Sequence, residues 1–473
     1  MIYLFLNSFF ISLFGIIFWS ILTRMIPTND YGYLSYIFSL SLLFSNLFSL
    51  GIFAGVWKFY SIGKGKEIFV FSSILISLIL IFVFLISFTI FNNLYLAILS
   101  ASMILSQYLE SILYGRQKMR EIFISNFLSS FFKLLLLFLL IFYFGVNVTS
   151  ILVAILASLI VAIIVKTSFS KNLLYFTTNF SFAISKIKDF LSFSFSSFSS
   201  TIFNILYSNF LVVFSFLVIS PIISAVLFFS QQVSAFLNFI PSIIVGAALP
   251  ILSKYATKMD ANRRKISFII DQILKLLVII VITLAFLISF NMNEFFEVIG
   301  SKEEFKNFSF PFFLIITISS LFIIISNFLN SFLYSINRIK EIYLIETFSI
   351  IIFSVFILIL FYYNDILIFL LLYFLTAFIR FVFYSYSLQK NVQINNIYYN
   401  LKLLVYVGLT FIFSYLLFLN FSGIHLTAIS IVIYIALCIS LIKFLKIFDE
   451  QSKKFIKMLK LPKFLENLIV KII

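Results

Sequence analysis

The chain has 473 residues, of which 63% are hydrophobic and only 11% charged, with a mean hydropathy of +1.18. A water-soluble domain is nearer half apolar and a quarter charged, so this composition excludes a soluble fold and requires a bilayer as solvent. One cysteine, Cys438, and one histidine, His425, exclude an internal disulfide and cysteine- or histidine-cluster metal centres. The net charge of +16 is scattered over many short connections, which reads as a topology signal and not as a nucleic-acid surface.

Apolar runs long enough to cross about 30 Å of hydrocarbon recur from end to end. The predicted spans are Ile2–Leu22, Tyr33–Val56, Ile68–Ile90, Leu94–Tyr114, Ile122–Phe144 and Val148–Val165. After a longer polar loop come Phe190–Ile219, Ala225–Leu252, Ile266–Phe290, Phe310–Leu333, Ile342–Phe361 and Ile366–Tyr386, then a last pair, Leu403–Leu419 and Leu426–Ile442. No lysine or arginine precedes Arg24 and no small-residue cleavage site is evident, so the first segment is expected to stay attached as a span. No connection is long enough to fold alone. The tail alternates Lys453, Lys454, Lys457 and Lys460 with apolar residues until Pro462, which suits either a helix on an anionic leaflet or an ordinary basic flank.

Charge tests this division. With the amino terminus inside, all but five of the 33 lysines and arginines fall in the inner connections, Lys166 and Arg380 among them, or in the tail. The exceptions are Arg24, Lys302 and Lys306 outside, and Lys133 and Lys275 within spans. Cytoplasmic loops carry such an excess, so about fourteen spans with both termini inside are expected. The fold class is therefore an all-α polytopic membrane protein.

An ionisable group at mid-membrane costs ~2.5–3.5 kcal/mol, so each one needs a reason. Lys133 is the deepest; it either faces a hydrated cavity that receives an anion or pairs with a neighbouring helix. Asp271 and Lys275 stand four apart in the favourable acid-first order and read as a self-neutralising pair, with an ion-coupling role as the alternative. Glu110, Glu346 and Arg380 each lie one or two turns from a cytoplasmic end, within snorkelling reach of water, where Glu110 and Glu346 are further candidates for coupling. Neutral polar residues crowd the second, seventh and eighth spans, from Ser35 to Asn46, from Ser192 to Asn209 (including Asn204), and at Gln231, Gln232 and Asn238. Helices this polar are expected to face one another or a cavity. No paired aspartates in an outer loop, phosphate-cradling glycine loop or Ser-His or Cys-His set is present, so no enzyme and no cofactor is expected.

Two stretches carry a family likeness. Arg24 to Leu40, with Arg24, Pro27, Asp30, Tyr31 and Gly32, followed by Leu50 to Tyr60, resembles the start of the polysaccharide-transporter or O-antigen flippase family. That family belongs to the multidrug/oligosaccharidyl-lipid/polysaccharide exporter superfamily. Ser220 to Tyr255 is similar to the stretch after the family's seventh span and ends in an expected proline-containing turn at Pro250; Ala225 stands where a glycine is common. The resemblance implies two six-helix lobes, 1–189 and 190–400, a helix pair 401–447 and a basic tail 448–473. It implies rocking around a cationic cavity lined by the first, second, seventh and eighth spans. The implied substrate is a polyprenyl-pyrophosphate-linked glycan, moved from the inner to the outer leaflet of the cell membrane by a monomer, with membrane lipid as the other partner and no nucleic acid. Arg24 maps onto the family arginine as a headgroup contact; Lys133, Asn204 and Gln231 are the other candidate substrate contacts. An exporter of drugs or metabolites, and a membrane polymerase or ligase, are the competing readings. The likeness between the two halves is expected to be weak.

Overall fold

The computed structural model describes residues 2–171, 184–237, 239–256, 259–291, 294, 303–336, 338–363, 365–392, 401–420, 424–448, 452–453 and 466–467. Among them every regular element is helical. The helices are α1 (Ile2–Met25), α2 (Thr28–Phe48), α3 (Ile52–Ser61), α4 (Gly65–Thr89), α5 (Leu94–Gly115), α6 (Met119–Phe144), α7 (Val148–Ser170) and α8 (Ile184–Ile205). Two π-helical turns, Leu206–Phe210 and Ser215–Ile219, flank the single turn α9 (Leu211–Phe214). Then follow α10 (Pro221–Leu237), α11 (Phe239–Ala256), α12 (Met259–Phe290), α13 (Glu303–Ser335), α14 (Ile339–Tyr363), α15 (Ile366–Val392), α16 (Leu401–Asn420) and α17 (Ile424–Phe444). Among the described residues ten helices are long and apolar enough to cross a membrane, or eleven if the bent pair α2–α3 counts as one span. The basic segment 454–460 and the loop 172–183 lie outside the described residues.

Local chemistry sets the boundaries. Asn93 and Asn147 cap α5 and α7 by accepting from the amides of Leu96 (3.0 Å) and Ser150 (2.7 Å). Asp365 does the same for α15, from Leu367 (2.7 Å) and Ile368 (3.1 Å). Gly145, at φ +74°, ends α6 in a conformation that side chains disfavour. On α14 the exposed residues Leu344, Phe348, Ile351, Val355 and Leu358 form a stripe at helical spacing, while Ile342, Ile345, Glu346, Ser349 and Phe353 on the other side are buried. An apolar stripe of that length is lipid-facing surface.

Three expectations change. The second span is not continuous: α2 and α3 meet at a bend of 58°. Leu50 (φ +47°) and Gly51 (φ +75°) take left-handed backbone at that break. The Ser220–Tyr255 stretch does not turn at Pro250, which lies inside α11; membrane helices tolerate an interior proline where neighbours compensate the missing donor. Finally, the halves share more than expected. Ser106, Leu109, Ser111, Leu113, Tyr114, Glu121 and Ile122 recur, at one constant offset, as Ser326, Leu329, Ser331, Leu333, Tyr334, Glu341 and Ile342. The turns repeat bond for bond: the Lys118 amide donates to the Leu113 carbonyl at 3.0 Å and Arg338 to Leu333 at 3.0 Å. Arg116 to Ile112 and Ile336 to Phe332 match likewise, both at 3.2 Å.

The backbone contacts divide into two units, Tyr3–Phe228 and Phe229–Ile473 with Met1–Ile2. In the first, α4, α5 and α3 enclose a core that includes Val56, Phe59, Tyr60, Ile104 and Phe190. In the second, the α16–α17 pair docks on α12. Tyr406 and Thr283 share a hydrogen bond of 2.6 Å, and Phe411 meets Phe286 and Phe290 edge-on.

Candidate functional site

The two stretches singled out in the sequence meet inside the first unit. A Cβ on Gly32 would overlap the Pro221 carbonyl oxygen, so α2 and the start of α10 touch backbone to backbone. Around this contact Trp19 is wedged edge-on between Tyr31 (5.7 Å), Phe38 (5.5 Å) and Phe228 (4.6 Å). The Asp-Tyr-Gly sequence therefore has a packing purpose: the tyrosine fills the aromatic cluster and the glycine admits the neighbouring chain. Further along, Tyr36 stacks on Phe216 with centroids 4.6 Å apart. At the far end, a Cβ on Gly51 would overlap the Ser194 carbonyl, and one on Gly55 would overlap its hydroxyl and stand 2.7 Å from the Phe190 ring. Lys58 places its ammonium 3.7 Å over Phe193. Gly51, at the break, and Gly55, four residues on in α3, form a small-xxx-small pattern that the sequence displays and that marks close helix approach.

The serines of the second span mostly bond to their own helix. Ser35 and Ser41 donate to the Tyr31 and Ile37 carbonyls at 2.8 Å. Ser45 alone of these reaches another helix, donating to Gln107 at 3.3 Å. The density of serine thus reflects tight packing at most positions.

The four candidate substrate contacts occupy different settings. Arg24, in the last turn of α1, is exposed. Lys133 is half-buried on α6, its ammonium 4.5 Å over the ring of Phe18 on α1, which has no exposed surface. The same helix pair is joined by Asn126, which donates to Asn7 at 3.1 Å. Asn204 is half-buried at the end of α8, its backbone carbonyl accepting from the Ser208 hydroxyl at 2.7 Å. Gln231 belongs to the second unit and approaches the Tyr373 hydroxyl at 3.5 Å. Asn238 lies outside the described residues.

The other candidate charges are paired. Asp271 and Lys275 form the expected bridge, at 2.7 Å. Glu110 is half-buried and accepts at 2.5 Å from Lys166, which lies inside α7 and not in the loop assigned to it, and which also donates to Ser106 at 3.0 Å. Arg380 and Glu346 do not snorkel, being 0% and 2% exposed. Arg380 donates to Glu346 Oε1 (2.6 Å) and to Asn327 (3.1 Å), and Tyr384 donates to the same carboxylate oxygen (2.6 Å). Position along a helix gives depth but not rotation, and rotation decides whether a charge reaches water. The buried stripe of α14 was the signal that would have turned Glu346 inward. Lys166, Ser106, Asn327 and Tyr384 were missed as partners for the same reason. No group of three or more acidic, cysteine or histidine side chains suited to a metal occurs among the described residues.

This is the architecture of an all-helical, multi-pass membrane protein. The chain is similar in fold to a structure described as lipid II flippase MurJ in an inward closed conformation, with TM-score 0.63 and 15% identity over 94% of this chain and 98% of that one. It is also similar to the MATE transporter VcmN of Vibrio cholerae (TM-score 0.55, 12% identity, 82% and 96% covered). An outward-facing multidrug resistance MATE family transporter gives 0.56, 13% identity, 83% and 95% covered. No curated protein matches the sequence. A family model described as polysaccharide biosynthesis protein matches residues 1–256, and the chain belongs to that family.

Proposed function

We propose that the protein carries a lipid-linked oligosaccharide from the inner to the outer leaflet of the cell membrane for polysaccharide assembly. Membership of the polysaccharide biosynthesis family carries this reading, and similarity of fold to a lipid II flippase supports it. In this reading fourteen spans place both termini in the cytoplasm, and lobes 1–189 and 190–400 rock about the substrate. The helix pair 401–447 and tail 448–473 complete the chain, which works as a monomer without a cofactor and is no enzyme. Arg24 and Lys133 meet the pyrophosphate, since a multiply charged headgroup leaving water needs cationic partners. Asn204 and Gln231 meet the glycan. Asp271–Lys275, Glu110 and Glu346 serve as structural charges.

Depletion of the protein tests the reading. Complete lipid-linked glycan should accumulate on the cytoplasmic leaflet, protected from an externally added glycosidase, while surface polysaccharide disappears. Short glycans already exposed outside would favour a polymerase, and loss of dye efflux alone would favour a drug exporter.

A further inference from the structure

The ends of α3 and α5 that charge assigns to the cytoplasm are pressed together. A Cβ on Gly115 would stand 2.4 Å from the Tyr60 side chain and 2.7 Å from the Trp57 carbonyl, and one on Gly65 would stand 2.6 Å from the Tyr60 ring. Tyr60 has no exposed surface, and Arg116, the residue after Gly115, holds its guanidinium 5.7 Å over that ring. Beside it Trp57 is 52% exposed, its ring 5.9 Å from that of Tyr114. Ile62, just past the end of α3, is also exposed.

Lys166, Lys275 and Arg380 each bridge to a carboxylate. Arg116 has no such partner among the described residues; it is half-buried, and its Nε is buried without an acceptor. The turn itself does not require an arginine. In the second half the equivalent turn carries Ile336 at this position, and its amide still donates to the Phe332 carbonyl at 3.2 Å, as Arg116 does to Ile112 at 3.2 Å. A guanidinium fixed against a ring presents a planar fork of donors, which suits a phosphate. An exposed indole next to it suits the glycerol and first methylenes of a lipid, the depth at which tryptophan collects in membrane proteins. Lys64 and Arg120, both exposed, add a positive field that favours a net negative headgroup over a zwitterionic one. A free phosphate would engage the fork but leave the indole and Ile62 in water.

We propose that Arg116, Trp57 and Tyr114 form a site for the phosphate headgroup of an anionic phospholipid, which bridges the ends of α3 and α5 at the membrane surface. Its assignment to the inner leaflet rests on the orientation read from charge, which thiol labelling of the connections tests separately; its occupancy does not.

The chain has two tryptophans, and because Trp19 is only 3% exposed, Trp57 is the one that lipid chains reach. The full chain is placed in phosphatidylcholine nanodiscs with brominated phosphatidylglycerol or brominated phosphatidylcholine as quencher at equal mole fraction. The Trp57→Phe chain supplies the Trp19 background. Brominated phosphatidylglycerol should quench Trp57 severalfold more strongly than brominated phosphatidylcholine. Arg116→Ile, the residue type that the second half uses, should remove that preference. Arg116→Lys, which keeps the charge and loses the fork, should remove most of it, and Arg120→Gln should retain it. Equal quenching by the two lipids in the unmodified chain overturns the site, as does a preference that survives Arg116→Ile or falls equally in Arg120→Gln. Relief of the quenching by inorganic phosphate would overturn a lipid as the occupant. If Arg116→Ile does not reach the membrane, the Arg116→Lys result decides.

Discussion

Arg380 and Glu346 illustrate what single residues contribute. Each is costly to bury alone, and together with Asn327 and Tyr384 they satisfy much of each other's hydrogen-bonding capacity across α13, α14 and α15. Removing one partner of a buried pair leaves an uncompensated charge and costs about 3–5 kcal/mol, whereas replacing both by apolar residues is often near neutral. Arg380→Met should therefore lower thermal stability in detergent sharply, and Arg380→Met with Glu346→Leu should recover most of it. A double variant as unstable as the single one would contradict this account. Lys133 differs, because its partner is the uncharged face of Phe18. A desolvated cation–π contact contributes ~2 kcal/mol, about what mid-membrane placement costs, so the lysine is tolerable there. Lys133→Ala should abolish transport at normal membrane abundance; normal transport would make the residue structural. Position along the predicted span was legible in the sequence and singled out Lys133. The partners of Glu110, Glu346 and Arg380 were not legible, because they depend on which way each helix is rotated.

Among elements, the broken second span shows a backbone effect that hydropathy does not register. The apolar run from Tyr33 to Val56 reads as one helix, yet the chain turns at Leu50 and Gly51 so that α3 can lie against α8. Left-handed backbone costs an L-residue roughly 1–2 kcal/mol, and a methyl at Gly51 would also overlap Ser194, so Gly51→Ala should destabilise measurably. Gly246 and Gly408, helical and with open space at the Cβ, provide the control. Gly246→Ala should leave stability unchanged or raise it by about 0.5–1 kcal/mol, as thermal unfolding would read. Equal losses at Gly51 and Gly246 would contradict the assignment. The small-xxx-small pair Gly51–Gly55 and the repeat from Ser106 to Ile122 at Ser326 to Ile342 were both present in the sequence. They are short, and their meaning rests on a partner helix distant in the chain.

For the whole molecule, membrane class and helical fold were legible because composition and run length follow directly from the bilayer's demands. The proposed orientation rests on charge: the structure places Lys166 and Arg380 in buried pairs, and the excess in the connections assigned to the inside remains large without them. Single cysteines at Asn93 and Asn147 in a Cys438→Ala background should react with an impermeant maleimide on intact cells, whereas Lys64→Cys and Gln117→Cys should not. Labelling of the latter two would invert the orientation. The central claim concerns movement of a lipid-linked glycan, whose charged headgroup and sugar would both lose water in an unassisted crossing. Its most direct measurement is reconstitution of the purified chain into liposomes carrying a polyprenyl-pyrophosphate oligosaccharide in the inner leaflet, with an external glycosidase reporting arrival outside. The account predicts glycan digestion well above that of protein-free liposomes and its loss with Lys133→Ala. Digestion no greater than in protein-free liposomes, from folded and correctly inserted protein, would contradict it.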